Sequence, residues 1–180
     1  MRIEQLILLP GFGLTGALLP IVAQNYGAKN YDRVREAVVF CCKAGVAMMM
    51  CGSLVLWFAA RPMMAFFSSD PEVVRIGGDY LHVDGFILPV YIVLFAMNSF
   101  LQALKQPMAT VWIGLYRQGL AVGLFVWVFV ELLGLGTWGV WFGIAVAVIS
   151  GLVLSLFVAE RVARRQMGGL FANRPAAQMT

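Results

Sequence analysis

Five long, uninterrupted apolar stretches fill most of the 180-residue chain. The hydrocarbon core of a bilayer is about 30 Å thick, and roughly 20 helical residues cross it. None of the stretches alternates apolar and polar positions as a barrel strand does, and a helix in lipid satisfies its own backbone hydrogen bonds. The pattern therefore predicts five transmembrane helices, at about Ile3 to Tyr26, Ala37 to Ala60, Leu81 to Leu104, Val111 to Leu133 and Trp138 to Ala159.

The composition supports the same interpretation. Hydrophobic residues make up 61% of the chain, charged residues make up 12%, and the mean hydropathy is +0.84. These values lie outside the range of soluble domains. A signal peptide does not explain the first stretch, which is long and preceded by no basic residue except Arg2. A buried helix of a soluble protein could explain one such stretch but not five. The predicted fold class is therefore an all-α integral membrane protein.

The loop charges predict an orientation for this protein. If the five helices are consecutive crossings, one side carries only Arg2, Arg61 and Arg75. The other side carries Lys29, Arg33, Arg35, Lys105, Arg161, Arg164, Arg165 and Arg174. The positive-inside rule assigns this basic side to the cytoplasm. We therefore expect a multi-pass protein of the plasma (inner) membrane, with a cytoplasmic C-terminus and an external Met1. An external start directly at a hydrophobic helix also predicts further helices upstream.

Helix-boundary signals lie between the apolar stretches. Ser69-Asp70-Pro71-Glu72 places a capping side chain before a proline, with an acidic residue in the first turn, and predicts a helix start near Pro71. Lys105-Gln106-Pro107 predicts a tight cytoplasmic turn, and residues 134–137 predict an outer turn. Residues 1–165 form the predicted membrane part. Residues 166–180 lose the hydrophobic pattern and predict a basic, disordered cytoplasmic tail.

The sequence offers little chemistry for an enzyme or a metal site. Cys41, Cys42 and Cys51 lack the spacing of metal ligands and are interpreted as packing residues. There is one histidine, and neither Gly-x-Ser-x-Gly nor His-Glu-x-x-His occurs. The net charge of +4 follows from the membrane topology and does not indicate nucleic-acid binding. We expect no catalytic residues, no bound metal and no organic cofactor.

Polar residues inside the predicted helices are the candidates for a functional site, because their cost in lipid makes them face a cavity or a partner. Asp84 lies near the outer end of the third helix. Asn98 and Gln102 are one turn apart on the same helix and could line a cavity or bond to a neighbour. Among these residues, Arg117 has the highest free-energy cost of insertion into lipid. Two interpretations of it are open, since it could line a cavity or extend to the nearby cytoplasmic surface.

One part of the sequence carries a family resemblance. It consists of Leu9-Pro10-Gly11-Phe12-Gly13-Leu14, then Ala23-Gln24-Asn25-Tyr26-Gly27-Ala28-Lys29-Asn30, and then arginines at positions 33 and 35. It resembles the second helix of the C-terminal lobe in the MATE family of multidrug and toxic compound extrusion transporters. In that family a helix rich in small residues ends in Gln-Asn-x-Gly-Ala. Further similar segments follow in order, at Asp70-Pro71-Glu72-Val73, Asp79-Tyr80-Leu81, Pro89, Gln102-Ala103 and Arg117.

The resemblance covers about residues 1–165 and implies helices eight to twelve of a twelve-helix transporter. It implies part of one six-helix lobe, which works with a missing N-terminal lobe and the lipid bilayer. The implied function is export of amphipathic organic compounds, coupled to entry of sodium ions or protons. We expect the isolated chain to be inactive because half the transporter would be absent. A lipid-linked-oligosaccharide flippase of the same superfamily and a small structural membrane protein remain alternatives.

General rules of helix packing and capping give individual residues of this motif a role that does not depend on the resemblance. Gly11, Gly13 and Gly16 are expected to allow close helix packing, and Gly27 is expected to end its helix in a left-handed conformation with Asn25 as a cap. The segment Gln24 to Ala28 is thus interpreted as a helix end rather than a binding site. The predicted cavity-lining residues are Asp84, Tyr91, Asn98, Gln102 and Arg117. Some branches of the family have an acidic residue near the position of Tyr91. Its absence predicts that this lobe does not coordinate sodium and that the essential acid lies in the N-terminal lobe.

Overall fold

The structure is a computed structural model that describes residues 3–67 and 69–170, with side chains from residue 5 onward. The described chain forms a bundle of five long helices. They are α1 (Ile3–Gly27), α2 (Tyr31–Phe67), α3 (Pro71–Ala103), α4 (Pro107–Leu132) and α5 (Gly136–Met167). All five are long and apolar enough to cross a membrane, which confirms the predicted all-α fold.

The helices extend beyond the predicted apolar spans. The predicted second span ran from Ala37 to Ala60, whereas α2 runs from Tyr31 to Phe67. Hydropathy marks the part of a helix that contacts lipid, and the hydrogen-bonded helix continues into the polar layers on both sides. The predicted start of α3 at Pro71 is confirmed, because the Asp70 carboxylate accepts a hydrogen bond from the Glu72 amide at 2.9 Å.

Helix α3 is the centre of the bundle. Half of its most apolar window is buried, compared with 11% for α4. Ile92 of α3 is fully buried where α1, α2 and α3 meet. A Cβ atom on Gly45 would lie 2.5 Å from Ile92 Cγ1, and one on Gly11 would lie 2.7 Å from Ile92 Cδ1. Small residues on α1 and α2 therefore make room for α3.

The glycines of α1 do not form one packing stripe. Gly11 packs as expected, but a Cβ atom on Gly13 or Gly16 would meet nothing within 4 Å among the described residues. An α-helix turns by about 100° per residue, so Gly13 and Gly16 lie about 200° and 140° away from Gly11. They face away from the described helices, so the structure shows no close packing at these two positions within this chain.

The segment after α1 is a helix end and turn, as the sequence predicted, but its left-handed residue is not Gly27. Gly27 is the last residue of α1, and Lys29 has the positive φ of 60°. The Lys29 amide donates to the Tyr26 carbonyl, and the Asn30 amide donates to the Asn25 carbonyl. This is the Schellman pattern, with Lys29 in the position that glycine usually takes. The Asn25 side chain does not cap the end, because its Nδ2 donates back to the Ile21 carbonyl at 2.8 Å.

The turn after α3 repeats this geometry. Lys105 has a φ of 58° and its amide donates to the Gln102 carbonyl, while the Gln106 amide donates to the Leu101 carbonyl. Both helices thus end at the same side of the bundle. Each is followed by a lysine in the left-handed backbone conformation. A cation at a helix C-terminus also interacts favourably with the helix dipole.

The predicted boundary between membrane part and tail at residue 166 falls inside α5, which continues to Met167. Gly168 then turns the chain with a φ of 80°, and Leu170 is buried in the core near the α2 N-terminus. The Arg35 guanidinium donates to the carbonyls of Met167 and Gly169, at 2.7 Å and 2.8 Å. Hydropathy alone did not indicate these bonds between α2 and the end of α5. The rest of the predicted tail, residues 171–180, lies outside the described residues.

Candidate functional site

A cavity of about 530 Å³ lies between α1, α3, α4 and α5. It contains two of the five predicted cavity residues, Tyr91 of α3 and Arg117 of α4. Its wall also includes polar and aromatic side chains that the sequence analysis did not select, namely Gln5, Phe12, Phe95 and Gln118. Within the part of the chain that the structure describes, no Asp or Glu side chain lines this cavity.

Arg117 faces Tyr91 rather than the end of the bundle at Pro107. The guanidinium carbon lies 5.8 Å from the centroid of the Tyr91 ring, which is the geometry of a cation–π contact. Tyr91 is twelve residues before the end of α3 at Ala103, so it lies about 18 Å above that end, near the middle of a bilayer. Of the two interpretations left open by the sequence, the structure supports the cavity.

Three aromatic rings form a row along one wall of the cavity. Tyr91 and Phe95 are one helical turn apart, and their rings are nearly parallel, with 6.0 Å between centroids and an angle of 13°. Phe12 of α1 continues the row, with its ring centroid 5.1 Å from that of Phe95. Phe95 could have been found from the sequence because it shares the helix face of Tyr91. Phe12 could not, because its neighbour belongs to another helix.

The position of Arg117 depends on a glycine of α5 and on an irregular turn of α4. A Cβ atom on Gly151 would lie 2.8 Å from Arg117 Cδ, so only glycine leaves space for the arginine stem. The residues Tyr116–Ala121 form a π-helical turn, a form that is rare and often found at functional sites. The Tyr116 hydroxyl donates to Ser150 Oγ at 3.4 Å and adds a second contact to α5.

The charge of Arg117 is not neutralised within the described chain. Among residues 5–67 and 69–170, no carboxylate forms a salt bridge with it, and its buried Nε has no hydrogen-bond partner. A guanidinium stays protonated in proteins, and a charge inside a membrane is costly unless it is paired or faces a polar cavity. The site is therefore electropositive.

The other predicted cavity residues lie on the same face of α3 but at different depths. Asp84, Tyr91 and Asn98 are spaced by seven residues, so their side chains are about 10 Å apart along the helix axis. Asp84 is buried nearer the N-terminal end of α3, and Gln102 is exposed near its C-terminal end. The side-chain carbonyl of Asn98 is buried and has no hydrogen-bond partner among the described residues. The structure thus does not bring these three residues into the cavity of Arg117.

A match to a family model identifies the family of this chain. The MatE family model matches residues 1–128. The chain belongs to the MatE family. Members of this family are transporters and not enzymes. The resemblance predicted from the sequence is therefore confirmed, together with the assignment as a multi-pass membrane protein.

The relatives of this MatE family chain are considerably longer than it is. It is 29% identical over 122 residues to a protein of Shewanella oneidensis described as an FAD transporter, covering 64% of the chain and 26% of that protein. It is 28% identical over 160 residues to a probable multidrug resistance protein NorM of Rhizobium meliloti, covering 87% of the chain and 33% of that protein. The chain thus spans about a quarter to a third of the length of these curated relatives.

A solved structure has a similar fold. It is described as the inward-facing conformation of a multidrug resistance MATE family transporter of the MOP superfamily. The TM-score is 0.80 and the sequence identity is 19%, and the similarity covers 91% of this chain and 39% of that protein. At this identity the similarity establishes the fold of the MatE family chain and says nothing of its substrate.

Proposed function

We propose that this chain supplies five helices of the C-terminal lobe of an exporter that moves amphipathic organic compounds out of the cell, driven by entry of sodium ions or protons. The main support is the MatE family model over residues 1–128. The part-length coverage of the relatives supports a lobe fragment, because a transporter of this kind needs a second bundle to enclose its substrate.

The proposed orientation has the C-terminus in the cytoplasm of a plasma (inner) membrane protein. The ends of α1, α3 and α5 lie on one side of the bundle, where Lys29, Arg35 and Lys105 are found. Such an excess of basic residues is typical of the cytoplasmic side. A fluorescent protein that matures only in the cytoplasm, fused after Thr180, should therefore fluoresce. A dark fusion that is nonetheless inserted and full length would contradict this orientation.

The proposed coupling acid lies outside this chain. The cavity of about 530 Å³ has Arg117 where a bound cation would need carboxylate oxygens, and a fixed positive charge repels a sodium ion. The described part of the lobe is thus poorly suited to coordinate sodium at the level of Tyr91. We assign ion coupling to the N-terminal lobe of the longer transporter.

The substrate class is proposed to include negatively charged aromatic compounds. One relative is described as an FAD transporter, and FAD combines a flat ring system with phosphate groups. A second relative is described as a probable multidrug resistance protein, which fits a broader range of amphipathic compounds. The Arg117 side chain beside an aromatic wall favours the negatively charged members of that range.

Export by the isolated chain is the direct test. We expect no energy-dependent export when the chain alone is produced in cells that lack their own efflux pumps, because alternating access needs two bundles. Accumulation of a fluorescent organic cation and of a fluorescent organic anion would be measured with and without an uncoupler. The full-length NorM relative of Rhizobium meliloti provides the positive control. Uncoupler-sensitive export by the chain alone would contradict the proposal that it is one part of the exporter.

A further inference from the structure

We infer that the cavity between Tyr91 and Arg117 binds the anionic group of a flat aromatic substrate. This inference rests on the proposed function as an exporter and names a substrate class and a binding site for it. It combines a positive charge, an aromatic surface and a cavity of suitable size.

The charge of the site selects for an anion. Arg117 lies near the middle of the bundle, stays protonated, and has no carboxylate partner among the described residues. Its buried Nε also lacks a hydrogen-bond acceptor within the described chain. A carboxylate, sulfonate or phosphate group would provide both the missing acceptor and the opposite charge. An organic cation would be repelled at the same position.

The aromatic wall selects for a flat ring. Tyr91, Phe95 and Phe12 form a continuous row beside the guanidinium, with ring centroids 6.0 Å and 5.1 Å apart. A planar ligand can contact such a wall by offset or edge-to-face stacking. The same row keeps the cavity apolar on one side, so the ligand needs a large apolar part as well as its charge.

The size and the remaining polar groups suit a small organic molecule. Ligand sites commonly enclose roughly 300 to 1,000 Å³, and this cavity encloses about 530 Å³. Gln5 of α1 and Gln118 of α4 lie in the wall, and an amide side chain can both donate and accept hydrogen bonds. They provide neutral contacts for polar substituents of the ring, while Arg117 carries the charge.

The test compares two ligands that share one ring system and differ by a single phosphate group. Flavin mononucleotide and riboflavin share one ring system, and only the former carries a phosphate. Binding would be measured by quenching of flavin fluorescence with the full 180-residue chain in phosphatidylcholine nanodiscs, which carry no anionic lipid. We expect flavin mononucleotide to bind at least about tenfold more tightly than riboflavin, because a hydrogen bond to a charged group is stronger than one between neutral groups. Equal affinity for the two flavins would overturn the inference. This comparison uses only the unmodified chain.

Variants then locate the site. Arg117→Gln should abolish the preference, so that the two flavins bind with equal affinity, and Arg117→Lys should retain part of the preference because it keeps the positive charge. Phe95→Leu should weaken binding of both flavins equally. The matched control is Arg161→Gln, which removes the same charge from an exposed position. If Arg161→Gln reduces the preference as much as Arg117→Gln does, the net charge of the chain rather than the cavity binds the phosphate.

The binding test does not depend on transport. If the chain shows the charge preference but the longer protein exports no flavin, the binding site stands and the proposed export function fails. If the longer protein exports amphipathic compounds but the chain shows no charge preference, the export function stands and the assignment of this cavity fails.

Discussion

The bonds from Arg35 to the end of α5 give the clearest prediction about stability. The Arg35 side chain is 15% exposed and donates two hydrogen bonds to backbone carbonyls, those of Met167 and Gly169. These carbonyls lie at a helix C-terminus, where the last acceptors have no partner inside the helix. Arg35→Ala removes both bonds, and we expect α5 to separate more easily from α2 at this end.

The magnitude follows from the number and kind of the bonds. Hydrogen bonds to a charged group contribute about 1.5–3 kcal/mol each when buried, but water can reach these carbonyls after the substitution, so about 1 kcal/mol per bond is the better value. Loss of the two bonds therefore costs about 2 kcal/mol. This corresponds to a roughly 30-fold increase in the equilibrium constant for separation of α5 from α2 at this end. Arg35 also pairs with Asp32 at 2.7 Å, but the Asp32 side chain is 94% exposed. A pair of this kind contributes at most about 0.5 kcal/mol.

The thiol of Cys41 reports this opening. It is 3% exposed and packs in the same core as Val38, Ala163 and Leu170. In a background with Cys42→Ala and Cys51→Ala, Cys41 is the single cysteine of the chain. Its rate of modification by a lipophilic maleimide in detergent micelles measures how often α2 and α5 separate. We expect a roughly 30-fold faster rate in Arg35→Ala and a change of at most about twofold in Asp32→Asn. Equal effects of the two variants would refute the assignment of the stability to the carbonyl bonds.

Two further predictions concern single positions of the backbone. Lys29→Gly and Lys105→Gly should each stabilise the chain by about 0.5–1 kcal/mol in unfolding titrations, because a left-handed conformation is costly for a residue with a Cβ atom. Lys29→Ala keeps the Cβ atom and should give no such gain. Gly143→Ala should destabilise the chain by about 1–3 kcal/mol, because its Cβ atom would lie 2.8 Å from backbone atoms of Val126. The Cβ atom of Gly123→Ala would meet nothing within 4 Å, so this variant should not be destabilised and should gain up to about 0.5–1 kcal/mol from the higher helix propensity of alanine.

The number and type of the helices could be predicted from the sequence because lipid imposes one strong rule. Every apolar stretch that crosses the bilayer must satisfy its backbone internally, and a helix does so without information from other parts of the chain. The start of α3 was predictable for a similar reason, since Asp70 and Pro71 act within a single turn. Features that depend only on residues nearby in the sequence could thus be predicted.

The end of α1 shows where local reasoning stops being sufficient. Glycine is the usual left-handed residue at a helix end, and this preference selected Gly27. The helix does end at Gly27, but Lys29, two residues later, adopts the left-handed conformation. Lys105 adopts the same conformation after α3, where a cation also interacts favourably with the helix dipole. The propensities of single residues do not predict this choice of lysine over glycine.

The candidate site was predicted as separate residues and not as a group. Tyr91 and Arg117 were selected individually, one for its position in the family pattern and one for its cost in lipid. Their contact at 5.8 Å depends on how α3 and α4 pack against α5, which a single sequence does not reveal. Asp84, Asn98 and Gln102 share a helix face with Tyr91, and yet they lie at other depths.

The irregular turn of α4 explains why Arg117 reaches the cavity at all. Arg117 packs on Gly151 and Val126 packs on Gly143, so both residues must face α5. In a regular α-helix two residues nine positions apart point about 180° away from each other, and two residues eight positions apart, such as Gly143 and Gly151, are about 80° apart. The π turn at Tyr116–Ala121 includes Arg117, continues toward Val126 and accommodates one extra residue. It brings Arg117 and Val126 to the same side of α4. A second π-helical segment, Val128–Leu132, follows Val126 and therefore does not affect this relation. A hydropathy profile treats α4 as one apolar helix, whereas the position of its single arginine depends on the local departure from α-helical geometry at Tyr116–Ala121.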